Sequence, residues 1–222
     1  ADLFTDDGTI EMGLRGVYVG KARIRAFLDL LGPAGLSDGE LFDHVQLQPI
    51  VTVSADGRTA KARSRTLAMT GVHESHGEWS EGIYESTFVD DGGVWKFKSL
   101  RYYPTFISDY ELGWAKDAKP APGPSESLPP DRPPTDRYEI YPKAHIPPYH
   151  YVNPATGRPP QYPTGAGQPN ASAVAAVLEP VAPVRSPLMA DVPDDDGLEP
   201  LLAETERVVA RVKDYHELEN LQ

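Results

Sequence analysis

At 222 residues the chain is long enough for one or two ordinary domains. Its formal charge of −12 argues against a nucleic-acid backbone or an anionic membrane surface as partner, because both need clustered Lys and Arg. With no Cys there are no disulfides, no thiol nucleophile and no thiolate metal site, and no apolar run approaches the roughly 18 residues that would span a bilayer.

The absence of Cys leaves the compartment open between cytoplasm and periplasm. No secretory leader is present at Ala1, which fits either a removed leader or a piece of a longer chain. The opening stretch, ADLFTDDGTIEM, reads as a helix end followed by a strand. Ala1, Leu3 and Phe4 resemble a last apolar turn, Asp6-Asp7-Gly8 a reversal, and Thr9 to Met12 the first strand residues. A helix cannot begin in its last turn, because nucleation is costly, so the rest of that helix is expected elsewhere.

Residues 1–115 read as a compact α+β domain. In GKARIRAFLDLLG, Ala22, Ile24, Phe27, Leu28 and Leu31 fall at helical spacing and end at Gly32-Pro33. LFDHVQLQPIVTVSADGRTAKARSRTLAMTG reads as two strands around an Asp56-Gly57 turn. GEWSEGIYESTFVDDGGVWKFKSLRYYPTF reads as a second hairpin around DDGG, its strands rich in aromatic and β-branched residues. The expected order is strand, helix, then four antiparallel strands. Such a sheet needs one face covered, and a second helix should be required beside the first.

Composition changes near Trp114. Of 23 prolines, only Pro33, Pro49 and Pro104 precede it. Residues 116–195 therefore read as an extended proline-rich arm, since proline removes amide donors and restricts its neighbour. DRYEIYPKAHIPPYHY carries Tyr138, Ile140, Tyr141, Ile146, Tyr149 and Tyr151, too aromatic for ordinary disordered filler. Residues 136–152 are expected to pack as an ordered arm on a globular body. Residues 196–222 follow as an amphipathic helix, with Leu201, Val208, Val212, Tyr215 and Leu221 on one stripe and Asp194-Asp195-Asp196 before its N-terminus.

Six blocks in order, LFTDDGTIEM, GVYVGKARIRAFL, HVQLQPIVTV, DGRTAKARSR, GEWSEGIYESTFV and GVWKFKSLRYYPTF, make residues 1–115 resemble the SnoaL-like branch of the nuclear transport factor 2-like superfamily. Scytalone dehydratase, ketosteroid isomerase and polyketide cyclases belong to it. The resemblance implies an α+β cone: a strongly curved antiparallel sheet packed on helices, with an apolar pocket inside. It implies chemistry without a cofactor, usually without a metal, and homo-oligomers packed through the outer sheet face. It also implies that a helix ending like YHELENLQ, here residues 215–222, should come first. The chain thus looks rotated, and three arrangements account for this: a tandem protein cut between helix and sheet, a break in one longer polypeptide, or a C-terminal helix swapped into a neighbour. The tandem arrangement is favoured. A pocket Tyr and Asp of the dehydratase-like enzymes would fall in the stretch absent between Gln222 and Ala1.

Four residues are candidates for chemistry. His44 opens the strand DHVQLQPIV, at a place resembling a pocket histidine of scytalone dehydratase, and could act as general acid or base; a local hydrogen-bonding role is the plainer alternative. Arg63 stands where that resemblance would put a second histidine. It is a poor base but could stabilise an enolate, or it could join Lys61 and Arg65 in a basic outer stripe. Tyr84 resembles a pocket polar residue and could donate to an oxyanion. Glu11, if it faces the pocket, would have a raised pKa; otherwise it could pair with Arg15.

Other residues read more plainly. His73 and His76 are spaced i, i+3 but read as a solvated loop, with no third metal ligand at a compelling spacing. Trp79, Trp95, Tyr102 and Tyr103 read mostly as core, and His145 and His150 as packing or solvent residues of the arm. There is no P-loop and no GxSxG elbow.

Two functions fit. The first is a cofactor-independent lyase or isomerase, dehydratase-like, acting on a small apolar cyclic or aromatic alcohol or ketone. The second is a non-catalytic ligand-binding or dimerisation module.

Overall fold

The computed structural model describes residues 1–162 except 33, 34, 154 and 155. The C-terminal helix expected over 196–222, and the arm beyond residue 162, lie outside the described residues.

Among the described residues there are seven elements: β1 (Phe4–Met12), β2 (Val17–Val19), α1 (Lys21–Leu31), β3 (Glu40–Val53), β4 (Thr59–Val72), β5 (His76–Asp91) and β6 (Val94–Asp109). The six strands form one sheet in the order β2-β1-β6-β5-β4-β3. The four long strands β3–β6 pair antiparallel in sequence order, as their alternating, aromatic-rich sequences predict. The Gly92-Gly93 pair turns β5 into β6 with φ of 66° and 88°, values that glycine adopts without a Cβ clash. The sheet is nevertheless mixed rather than wholly antiparallel, because β1 runs parallel to β6.

The N-terminal reading is corrected. Ala1 to Phe4 is no helix end: Asp2 and Leu3 form a turn, closed by Phe4 N–H donating to Ala1 O at 3.0 Å, and Phe4 already belongs to β1. Asp6-Asp7-Gly8 lies inside that strand, where the register against β6 shifts between Phe4 and Thr9. A polar bulge in an edge-proximal strand looks in sequence like a turn. The three-residue β2 is too short to show a period in the sequence.

α1 lies against β1 and β2. Ile24 and Phe27 are fully buried, with Phe4, Ile10 and Tyr18 completing the core and Leu28, Phe97 and Leu100 packed around it. Each such burial stabilises by roughly 1.5–3 kcal/mol. Ala22 and Leu31, at the margins of the predicted stripe, are exposed, so one helix of 11 residues covers only the β1–β2 end of this face.

The opposite face of the sheet is crossed by the arm. Its residues meet the strands in spatial order. Arg132 O accepts from Val17 N–H at 2.9 Å and Asp131 Oδ2 from Val19 N–H at 2.8 Å, which closes the edge of β2. Thr135 donates to Glu11 of β1 through N–H and Oγ1, at 2.7 and 2.8 Å. Tyr138 and His145 stack on each other, 4.1 Å between ring centroids, beside Tyr103 of β6. Tyr141 N–H donates to Thr105 O at 2.8 Å. His150 then reaches Glu85 of β5 and Thr52 of β3. A chain this rich in proline has few amides for regular structure, so its anchors are side chains and isolated backbone bonds. The resemblance implies oligomers packed through the outer sheet face; on β1, β6 and β5 much of the face opposite α1 is occupied by the chain's own arm.

Candidate functional site

Strand alternation sorts the four candidate residues onto two faces. Ile10, in the core with α1, fixes the helix face. Met12 of β1 pairs with Tyr102 of β6, Tyr102 with Tyr84 of β5, and Tyr84 with Ser64 of β4; this row shares the face of Ile10. His44 of β3 pairs with Ala68 of β4, in phase with Ser64, so it stands on the same face. His44 and Tyr84 are thereby brought together, with Tyr84 Oη 3.4 Å from His44 Nδ1, a long hydrogen bond. Phe42 stacks on His44 with centroids 4.9 Å apart, and Tyr102 meets it edge-on at 6.4 Å.

The pair is half-buried, with Phe42, Ala68 and Tyr102 beside it and Ser64 across from Tyr84. Burial lowers the pKa of His44 below its ordinary 6.5, outweighing the opposing charge of Asp43, and so favours neutral imidazole. Burial raises the Tyr84 phenol far above its ordinary range, with Tyr102 adding to the shift. Beside Phe42 the helix face opens into a cleft of about 640 Å³, bounded by Leu28 and Leu31 of α1 and by Phe42, Thr70, Val72 and His76 of the strands. Leu31, marginal to the core, thus becomes a wall of the cleft.

Glu11 and Arg63 are a correction. Both lie on the arm face, away from His44. In register across β1, β6, β5 and β4 run Glu11, Arg101, Glu85 and Arg63, a row of alternating charge. Arg63 is ion-paired to Glu85 through Nη1, donates to Pro148 O at 2.9 Å and sits 3.9 Å from the centroid of the Tyr149 ring. Glu11 pairs with Arg101 at 3.6 Å, not with Arg15, and accepts from Thr135. Opposite charges on adjacent strands let the arm bury them together. The basic stripe of Lys61, Arg63 and Arg65 does share one face, but the arm buries its first two members. Arg65 stays exposed beside Glu81.

Of the plainer readings, His73 and Glu74 are exposed at the β4–β5 turn, 3.9 Å apart. Among the described residues no three His, Asp or Glu side chains converge as metal ligands, and no helix is long and apolar enough to cross a membrane. Tyr102 and Tyr103 are buried, whereas Trp95 is exposed near the β5–β6 turn. His150, read as a packing or solvent residue, is fully buried in an ion-paired cluster. Thr66 and Ser80 on the helix face drew no attention in sequence. Only the register reveals them beside Gln46, Ala68 and Gly82.

The description of a SnoaL-like domain matches residues 1–101. No curated protein sequence matches the chain. Among solved structures it is similar to a provisionally assigned scytalone dehydratase of Novosphingobium aromaticivorans, at 22% identity over 56% of this chain and 76% of that one, with a TM-score of 0.43. It is also similar to a hexachlorocyclohexane dehydrochlorinase of Novosphingobium barchaimii, at 17% identity over 48% and 70%, TM-score 0.40. A Mycobacterium tuberculosis protein of unknown function is similar at 20% identity and TM-score 0.39, over 46% of this chain and only 56% of that one.

Proposed function

Because residues 1–101 match the description of a SnoaL-like domain, we propose that the helix face binds a small, neutral, apolar cyclic or aromatic alcohol or ketone and catalyses loss of water or double-bond migration without a cofactor. The observation that carries this reading is the partly desolvated His44–Tyr84 pair. Neutral imidazole accepts a proton from carbon beside a carbonyl. With Nδ1 turned to Tyr84, Nε2 is the nitrogen left for substrate. The C–H electrons move into an enolate, whose oxygen takes a hydrogen bond from the neutral Tyr84 phenol. A β-hydroxyl then leaves with the proton returned by imidazolium, so that water departs and the imidazole is regenerated. Arg63 and Glu11 take no part, being bound to the arm on the other face.

A second reading, a binding or dimerisation module, draws on exposed Leu41, Val45 and Leu47 of β3, which alternate on the arm face beyond the arm itself. A second copy could cover that strip.

The test is to incubate the full-length protein and its His44→Ala variant with cyclic and aromatic alcohols and ketones, following loss of water or isomerisation by mass spectrometry. Turnover by the wild type that collapses in the variant supports the lyase. Compounds that stay bound, unchanged and equally, to both proteins would sink it in favour of the binding module.

A further inference from the structure

Tyr102 reads in sequence as one of several core aromatics, but its ring has a particular place. It stands directly across from Tyr84, with centroids 4.8 Å apart. From there it leans over Gly82: a Cβ built on that glycine would meet Tyr102 Cε2 at 2.4 Å and Cζ at 2.7 Å. The missing side chain at Gly82 is the room the ring occupies. The phenol end thus points along β5 toward Ser80, which lies in the row His44–Ala68–Ser80. Tyr102 is 8% exposed, and its Oη is buried without a hydrogen bond of good geometry among the described residues. Burial pushes the phenol up to about 12, and Ser80 is the polar neighbour that offsets part of this. A buried hydroxyl that makes no good bond in the free protein carries a desolvation cost that a ligand oxygen would relieve.

We infer that Tyr102 is a second hydroxyl donor of the helix-face site, placed with Tyr84 to hold one oxygen of a neutral phenol, alcohol or ketone. The inference rests on the reading that a ligand oxygen sits at the His44–Tyr84 pair. It narrows the ligand class to molecules whose oxygen can accept two hydrogen bonds at the edge of an apolar ring.

The full-length protein is titrated with 4-nitrophenol and, as a control without the hydroxyl, nitrobenzene. Tyr102→Phe keeps the ring and its packing. It is expected to weaken 4-nitrophenol binding about tenfold while leaving nitrobenzene binding unchanged. If Tyr84→Phe weakens 4-nitrophenol binding and Tyr102→Phe does not, the second donor is overturned and the His44–Tyr84 reading survives. If neither variant changes it, or the wild type does not bind 4-nitrophenol, both fall. Should the Phe variant fail to fold, 3-fluorotyrosine at position 102, a stronger donor, is expected to tighten 4-nitrophenol binding; unchanged affinity there also overturns the inference.

Discussion

His150 Nδ1 lies 2.8 Å from Glu85 Oε2, although 65 positions separate the two residues. The His150 side chain is fully buried, and its other nitrogen meets Thr52 Oγ1 at 3.1 Å. One side chain of the arm therefore closes contacts to two strands. His150→Ala should remove both, leave Glu85 short of a partner, and cost about 2–3 kcal/mol. Urea denaturation measures the cost, and limited proteolysis should cut faster within the arm. An unchanged midpoint with an unchanged cleavage rate would refute this role.

Arg63 separates the two faces by experiment. Its guanidinium ties Glu85, Pro148 and Tyr149 together under the arm. Arg63→Ala leaves Glu85 without its ion-pair partner on β4, at a cost of about 3–5 kcal/mol. Binding of an apolar ligand at the helix face should nevertheless keep its affinity in whatever fraction stays folded. Paired measurements of denaturation midpoint and ligand affinity decide the matter. A stable variant that has lost ligand binding would restore Arg63 to the site.

Proton transfer at His44 should show in the pH profile. Burial holds its pKa below 6.5, so the neutral, proton-accepting form prevails above that value. kcat/KM should be flat from neutrality upward and fall as pH drops through the lowered pKa. The same shift acts on stability: the contribution is intact above 6.5 and is lost as pH falls through the folded value, because the unfolded chain takes up the proton first. With Tyr84 held protonated far above its usual range, no alkaline limb in kcat/KM is expected from it near pH 10. A rate that rises toward acid would mean that His44 is not the acceptor.

Local pattern made β3–β6 and α1 legible, because period-two alternation and a 3.6-residue stripe are properties of short windows. It failed where structure depends on register. The row Glu11–Arg101–Glu85–Arg63 joins four strands, and no window of sequence contains two of its members side by side. Arg63 drew attention by family position, yet one residue away Ser64 faces the helix side; a single step along a strand exchanges faces. Glu11 went astray for the same reason, its neighbours Ile10 and Met12 being the ones that point to α1. Tyr102 was visible as an aromatic but not as a site residue, since that depends on Gly82 lying beneath it. The aromatic content of residues 136–152 did signal a packed segment, whereas its path across the sheet depends on long-range bonds such as Thr135 to Glu11.

Four tyrosines, Tyr102 and Tyr103 buried and Tyr84 and Tyr138 half-buried, set the response to alkali. Tyr84 and Tyr102 on the helix face, and Tyr103 and Tyr138 under the arm, are all shifted upward chiefly by desolvation, Tyr102 to about 12. In the unfolded chain each ionises near 10, the ordinary value. Their stabilising contribution is thus complete below pH 10 and is lost as pH rises toward the folded values. Between pH 10 and 12 each removes roughly 1.4 kcal/mol per pH unit. The protein should therefore unfold cooperatively in that interval, with tyrosinate absorbance and loss of ellipticity coinciding. Tyr138→Phe cannot ionise and should move the alkaline midpoint upward, unlike a substitution at the exposed Tyr110. If Tyr103 and Tyr138 titrate near pH 10 while the fold persists, their rings are open to solvent, and the arm does not seal the face it crosses.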